Sequence, residues 1–191
     1  MRAAALVLVL VASCSKEPPP QVFSQVVGAF ELVERSGAKV SRDSLLGRPW
    51  VASFLFTRCT GPCPRVAGTL RALQARLEKS SARIVTFSVD PEWDTPEVLR
   101  RYAADLGADP KRWLFLTGDE KTIHELSRKG FLSAAERAPP GAAPIGEQVS
   151  HSTRLVAVDK KGRVRGYYAG ESEEDLGRLV EILALLQDEQ D

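Results

Sequence analysis

The most constraining stretch of this chain is an apolar run that stops at a pair of cysteines and resumes as a helical pattern. Residues 50–56 (WVASFLF) are almost wholly apolar and rich in aromatics, the composition of a strand buried on both faces of a sheet. Thr57 and Arg58 then lead into Cys59-Thr60-Gly61-Pro62-Cys63. Beyond Pro64, the residues Val66, Leu70, Leu73 and Leu77 recur at spacings of four, three and four, which marks one face of an amphipathic helix. A strand that needs cover on both faces, followed at once by a helix able to give it, predicts a layered α/β domain.

The flanking patterns extend that reading. Residues 30–40 read as a short hairpin turning at Gly37, and residues 41–46 as one helical turn ending at Gly47. Residues 83–90 (RIVTFSVD) and 113–117 (WLFLT) are two further buried strands. Thr95 can cap a helix with Pro96 at its first position, carried by Val98, Leu99, Tyr102 and Leu106 to Gly107. Asp119 begins another helix through Ile123 and Leu126, with Gly130 at its end. Residues 133–146 hold three prolines and two glycines and read as a long surface loop, a feature that in compact domains tends to be functional. Residues 153–159 and 163–169 form a late hairpin across Lys160-Lys161-Gly162, and Ser172 caps a final helix carried by Leu176, Leu179, Val180, Leu183 and Leu186. An N-terminal hairpin followed by β-α-β-α-β-α-β-β-α predicts a mixed central sheet flanked by helices, the order of a thioredoxin-like fold.

The cysteine pair is expected at the junction of strand and helix. If both residues lie on the first helical turn, the i, i+4 spacing puts their sulfurs on one side. Their Cα atoms would then be about 6 Å apart, within reach of a disulfide. Free amides and the helix dipole lower a thiol pKa at such a place, making thiolate available to attack a disulfide or bind a metal. A structural disulfide, or two cysteines that merely pack, is the plainer alternative, but so short a loop restricts the unfolded chain little.

Length and charge narrow the function. The chain of 191 residues suits one domain. Its 26 Lys+Arg against 25 Asp+Glu leave a net charge of +1, which argues against a nucleic-acid binder. A hydrophobic fraction of 43% excludes a disordered chain. At the N-terminus, Arg2, an apolar run over residues 3–12 and a small residue before Cys14 form an export-signal pattern. That run is too short to span a bilayer. Val11-Ala12-Ser13-Cys14 resembles a bacterial lipobox, which implies cleavage before Cys14 and lipidation of its thiol; a plain export signal is the alternative. The expected organisation is a signal peptide over residues 1–13, a lipidated tether over 14–28 containing Pro18-Pro19-Pro20, and the folded domain over 29–191. The expected location is the cell envelope, membrane-anchored and facing the periplasm. There, a thiol pair is either a disulfide or kept reduced for a purpose.

Phe54-Leu55-Phe56-Thr57-Arg58-Cys59-Thr60-Gly61-Pro62-Cys63-Pro64, followed by Ser88-Val89-Asp90-Pro91-Glu92 and Asp94-Thr95-Pro96-Glu97, resembles the Sco/SenC family of copper proteins that assist cytochrome c oxidase assembly. The resemblance runs from about Phe30 to Leu186, and the C-x-x-x-C loop sets it apart from ordinary thioredoxins. It implies a copper site, Cu(I) or Cu(II), made by Cys59, Cys63 and His151, with a dithiol able to close as a Cys59–Cys63 disulfide. Two thiolates and one imidazole form a soft set that suits Cu(I) and can hold Cu(II). The family usually has an acidic residue before the histidine, where this chain has Ser150. Asp90 and Asp94 match its acidic positions, where they would orient the site or meet a partner; Asp94 would equally organise the turn into the helix at Thr95. Trp93 is expected to be exposed at an interface, and His124, among Glu120, Lys121 and Glu125, to be solvated. The implied partners are the copper-bearing subunit of cytochrome c oxidase, a periplasmic copper donor or thiol reductant, and a membrane reached through the lipid. A thiol:disulfide oxidoreductase of the envelope without a stable metal is the competing function; it shares both cysteines but has no need of His151.

Overall fold

The computed structural model describes residues 23, 25–133, 135–139 and 141–190. The N-terminal hairpin is β1 (Glu31–Glu34) and β2 (Lys39–Ser41), joined through Gly37 at φ +90°, a conformation that glycine adopts without a Cβ penalty. A 3-10 turn at Asp43–Leu45 leads to β3 (Trp50–Leu55), all six of whose residues are buried. Then follow α1 (Cys63–Arg76), β4 (Arg83–Ser88), α2 (Pro96–Asp105), β5 (Trp113–Thr117) and α3 (Glu120–Glu125). The Thr95 hydroxyl accepts from the Val98 amide and Pro96 begins the helix, so α2 starts where its cap dictates. A π-helical turn at Leu126–Gly130 prolongs α3.

Seven strands form one mixed sheet in the order β2-β1-β5-β4-β3-β8-β9, where β8 is Arg154–Val158 and β9 is Val164–Ala169. The central trio β3, β4 and β5 is parallel; the flanking pairs are antiparallel. Trp50, Phe54 and Phe87 meet Phe131 in one aromatic cluster, with Phe30 edge-on to Phe87. Each such ring contributes roughly 1.5–3 kcal/mol through burial. The last helix, α4 (Glu173–Asp188), is capped by Ser172 and packs against β8, β9 and α1.

Two expectations change. Chain expected to belong to the tether is already packed: the Phe23 amide donates to the Val164 carbonyl, Val26 bridges Arg163, and Val27 is fully buried. The apolar side chains of Phe23 and Val27 draw this stretch onto the edge of β9, so the folded part starts before residue 29. Residues 133–146 are also not a plain loop. Their first part forms β6 (Ala135–Arg137), which pairs antiparallel with β7 (Val149–His151) as a separate two-stranded sheet. The expected signal peptide and Cys14 lie outside the described residues.

Candidate metal centre

The cysteines sit beyond the carboxyl end of β3, where open α/β sheets place their chemistry. Cys63 is the first residue of α1, with Pro62 at the cap position and Pro64 next. Cys59 is not on the helix. It lies in the preceding loop, where its amide donates to the Phe56 carbonyl. The two thiols therefore converge through the turn made by Thr60, Gly61 and Pro62, and not as i, i+4 neighbours on a helical face. Both are free thiols; Cys63 is buried and Cys59 half-buried. His151 reaches them from the end of β7, where it pairs with Ala135.

The sulfurs of Cys59 and Cys63 and a ring nitrogen of His151 all lie within 4.8 Å of one another. His151 Nε2 is 3.1 Å from Cys63 Sγ, while Nδ1 donates to the Ser152 carbonyl at 3.1 Å. That second bond places the proton on Nδ1 and leaves the Nε2 lone pair aimed at the sulfur. Phe56 packs edge-on against the imidazole, centroids 5.7 Å apart. Burial holds the His151 pKa below its ordinary value and so favours the neutral, ligating form. Burial, together with the neighbouring Cys59, pushes the Cys63 thiol up, against only partial relief from backbone hydrogen bonds at Phe56 and Cys63 itself. This reverses the expectation of a lowered thiol pKa at the helix start: desolvation outweighs the dipole where the sulfur is buried. A bound cation supplies the charge that such a buried thiolate needs, and two sulfurs with one imidazole suit a soft metal ion.

A model of SCO1/SenC proteins matches residues 19–184. The chain belongs to the SCO1/SenC family. It is 33% identical over 171 residues to the SCO1 protein homolog of Bacillus subtilis, covering 87% of this chain and 86% of that one. A SCO1/SenC family lipoprotein from Bacillus anthracis superposes with a TM-score of 0.79 at 28% identity, over 87% of this chain and 97% of that one. Bradyrhizobium japonicum ScoI, solved with copper bound, gives 0.64 at 26% identity, over 82% and 99%. The thioredoxin-like fold read from the element order is thus the fold of this family.

Around the Sco-type cluster, the acidic pair turns inward. Asp94 is fully buried and accepts from the Thr57 amide at 3.0 Å, the Thr57 hydroxyl and the Ser88 hydroxyl. Burial pushes its carboxyl above the ordinary range despite these donors. Asp94 so ties the start of the cysteine loop to the end of β4. Asp90 is equally buried and pairs with Arg58 and Arg137. Both carboxylates are buried, and their contacts run to Thr57 and Arg58 of the cysteine loop, to Ser88 and to Arg137 on β6. Trp93 between them is half exposed, and the Arg58 guanidinium stacks 4.5 Å from its ring centroid. His124 stands outside the metal cluster, as expected, but is only partly solvated. It is half-buried, with Nε2 3.3 Å from the Val89 carbonyl and 3.7 Å from Glu120.

Four residues near the cluster have roles that the sequence reading does not assign: Phe56, Arg58, Arg137 and Gly146. Arg58 carried a legible signal, since a cation beside a cysteine invites an acidic partner. Gly146 carried one too, as a glycine in a proline-rich loop. Arg137 had none, because its role depends on β6 folding back against β7.

Proposed function

We propose that this protein binds copper through Cys59, Cys63 and His151 and passes it on during assembly of the binuclear copper centre of cytochrome c oxidase. The observation that carries the reading is the convergence of three soft or borderline donors from two separate segments within 4.8 Å. Dithiol exchange needs only the two sulfurs, whereas a soft ion held by two thiolates is completed by a third donor such as this imidazole. Two relatives support it: ScoI with copper bound, and BsSco, a member of the Sco family of cytochrome c oxidase assembly proteins. Copper, when bound, supplies the positive charge that stabilises two thiolates in a desolvated pocket. The protein's own part is to keep the imidazole neutral through Nδ1 and to keep both sulfurs close. Closing them as a Cys59–Cys63 disulfide would release two electrons and two protons to an oxidising partner and withdraw both thiolate donors. A reductant of the envelope would reverse it. Lipidation at Cys14 would hold the domain at the membrane, facing the periplasm.

One observation favours the metal-free oxidoreductase as a second reading. Cys59 is partly exposed beside a buried Cys63, the arrangement of an attacking thiol backed by a resolving one. Copper titration of the reduced domain, beside the His151→Ala variant, separates the two. The variant is expected to keep the dithiol, to bind copper at least about tenfold more weakly, and to lose the Cu(II)-thiolate absorption. A variant that binds both copper states like the parent, or a parent that binds neither while rapidly reducing protein disulfides, makes the oxidoreductase the better reading.

A further inference from the structure

Asp90 stands between the two segments that carry the cluster. Its carboxylate is fully buried, a placement that is costly unless the charge is paired and hydrogen-bonded. Oδ2 accepts from Arg58 Nη2 at 2.6 Å and Nε at 3.1 Å, and Oδ1 accepts from Arg137 Nη2 at 2.9 Å. Arg58 immediately precedes Cys59. Arg137 lies on β6, the strand that pairs Ala135 with His151. The β6–β7 ribbon shares no strand with the main sheet; its backbone links to the cysteine side are the bond from the Thr60 amide to the Gly146 carbonyl and the short step from His151 to β8. Neither crosses from β6, and a side-chain tie does. The other ends of the tie are also held: Arg137 Nε bonds Glu120 on α3, and Arg58 stacks on Trp93.

Building on the copper-site reading, we propose that Asp90 is a positioning residue, a single buried carboxylate gripped by Arg58 from the cysteine loop and by Arg137 from the histidine ribbon. Together with those backbone links, it sets the separation at which His151 meets Cys59 and Cys63. The charge matters as much as the shape. An ionised carboxylate accepts from both guanidinium groups at once through charge-assisted bonds, whereas an amide in its place turns a donor toward one of them.

The test uses Asp90→Asn and Arg137→Gln, singly and together. Arg137 is the safer site for folding, because its side chain is 26% exposed. The first readout needs no metal: the 15N resonance of His151 Nε2 in the reduced protein, which reports the contact with Cys63. The second is Cu(I) affinity. Both single variants should move the Nε2 resonance toward that of a free imidazole and weaken Cu(I) binding at least about tenfold. The double variant should be no worse than Asp90→Asn alone, because the groups act as one unit. Variants that melt lower yet keep the parent's resonance and affinity while folded would show a role in stability only, and overturn the proposal. Fully additive losses would overturn it as well. If the parent binds no copper, the copper reading fails, while the Nε2 resonance still decides the clasp.

Discussion

Gly146 sits where the loop from β6 to β7 passes over the cysteine loop. It has φ +96°, and its carbonyl accepts from the Thr60 amide. A Cβ there would lie 2.7 Å from the Arg58 carbonyl oxygen and 2.7 Å from Thr60 Cγ2. Gly141, in the same loop at φ +77°, has nothing within 4 Å of such a Cβ. The two positions therefore separate backbone strain from contact. Gly141→Ala should cost only the strain of positive φ, about 1–3 kcal/mol, and leave copper binding unchanged. Gly146→Ala should cost more and weaken copper binding, because the loop must lift off the residues beside Cys59. Thermal unfolding and copper titration of both variants check this; equal effects of the two on copper would remove the contact from the explanation.

Among the elements, the β8–β9 hairpin depends on a single buried carboxylate at its turn. Asp159 Oδ1 accepts from the Lys161 and Arg163 amides at 2.9 Å each, and Oδ2 accepts from Arg163 Nε at 2.7 Å and Arg165 Nη1 at 3.1 Å. Arg165 also reaches Glu189 beyond α4, so the turn is linked to the chain's last helix. Burial by itself would raise the Asp159 pKa, but the hydrogen bonds from Arg163, Lys161 and Arg165 outweigh it and hold the carboxyl below its ordinary value. A depressed folded-state pKa contributes stability that is complete above the unfolded value, about 3.9, and is lost as pH falls through the folded one. Asp159→Asn should destabilise the protein by about 1.5–3 kcal/mol at pH 7, the range for hydrogen bonds to a charged group. The gap between parent and variant should narrow below about pH 4. Urea unfolding at pH 7 and pH 3 measures both quantities, and an unchanged gap would assign the loss to packing instead.

At the scale of the whole molecule, the parallel trio β3, β4 and β5 gathers everything chemical at its carboxyl end. The cysteine loop leaves β3 there, and Asp90 and Asp94 follow β4. Covalent attachment to a membrane would come from the opposite direction in the sequence, through Cys14. Mass spectrometry of membrane-extracted protein should show an acylated N-terminal cysteine at residue 14, and an unmodified chain beginning at Met1 would refute the anchor. Because Phe23 and Val27 pack against β9 and its turn, a link from an acylated Cys14 to the domain would be shorter than the expected boundary at residue 29 implied.

The sequence alone determined the layered fold, because strands buried on both faces and helices with one apolar stripe leave few ways to exclude water. Trp50, Phe54 and Phe87 announced their burial by composition, and Thr95, Asp119 and Ser172 announced where helices begin by their capping chemistry. The family motif in the sequence likewise named Cys59, Cys63 and His151. What only the tertiary structure decided was how they meet. Cys59 stays in the loop, β6 forms inside a stretch read as loop and pairs with β7, and Arg58 and Arg137 close on Asp90 from positions 79 residues apart in the chain. Periodicity records what a residue's own element requires of it. Pairing between short segments, and the burial that raises one thiol and keeps one imidazole neutral, come from long-range contacts that leave no period in the chain.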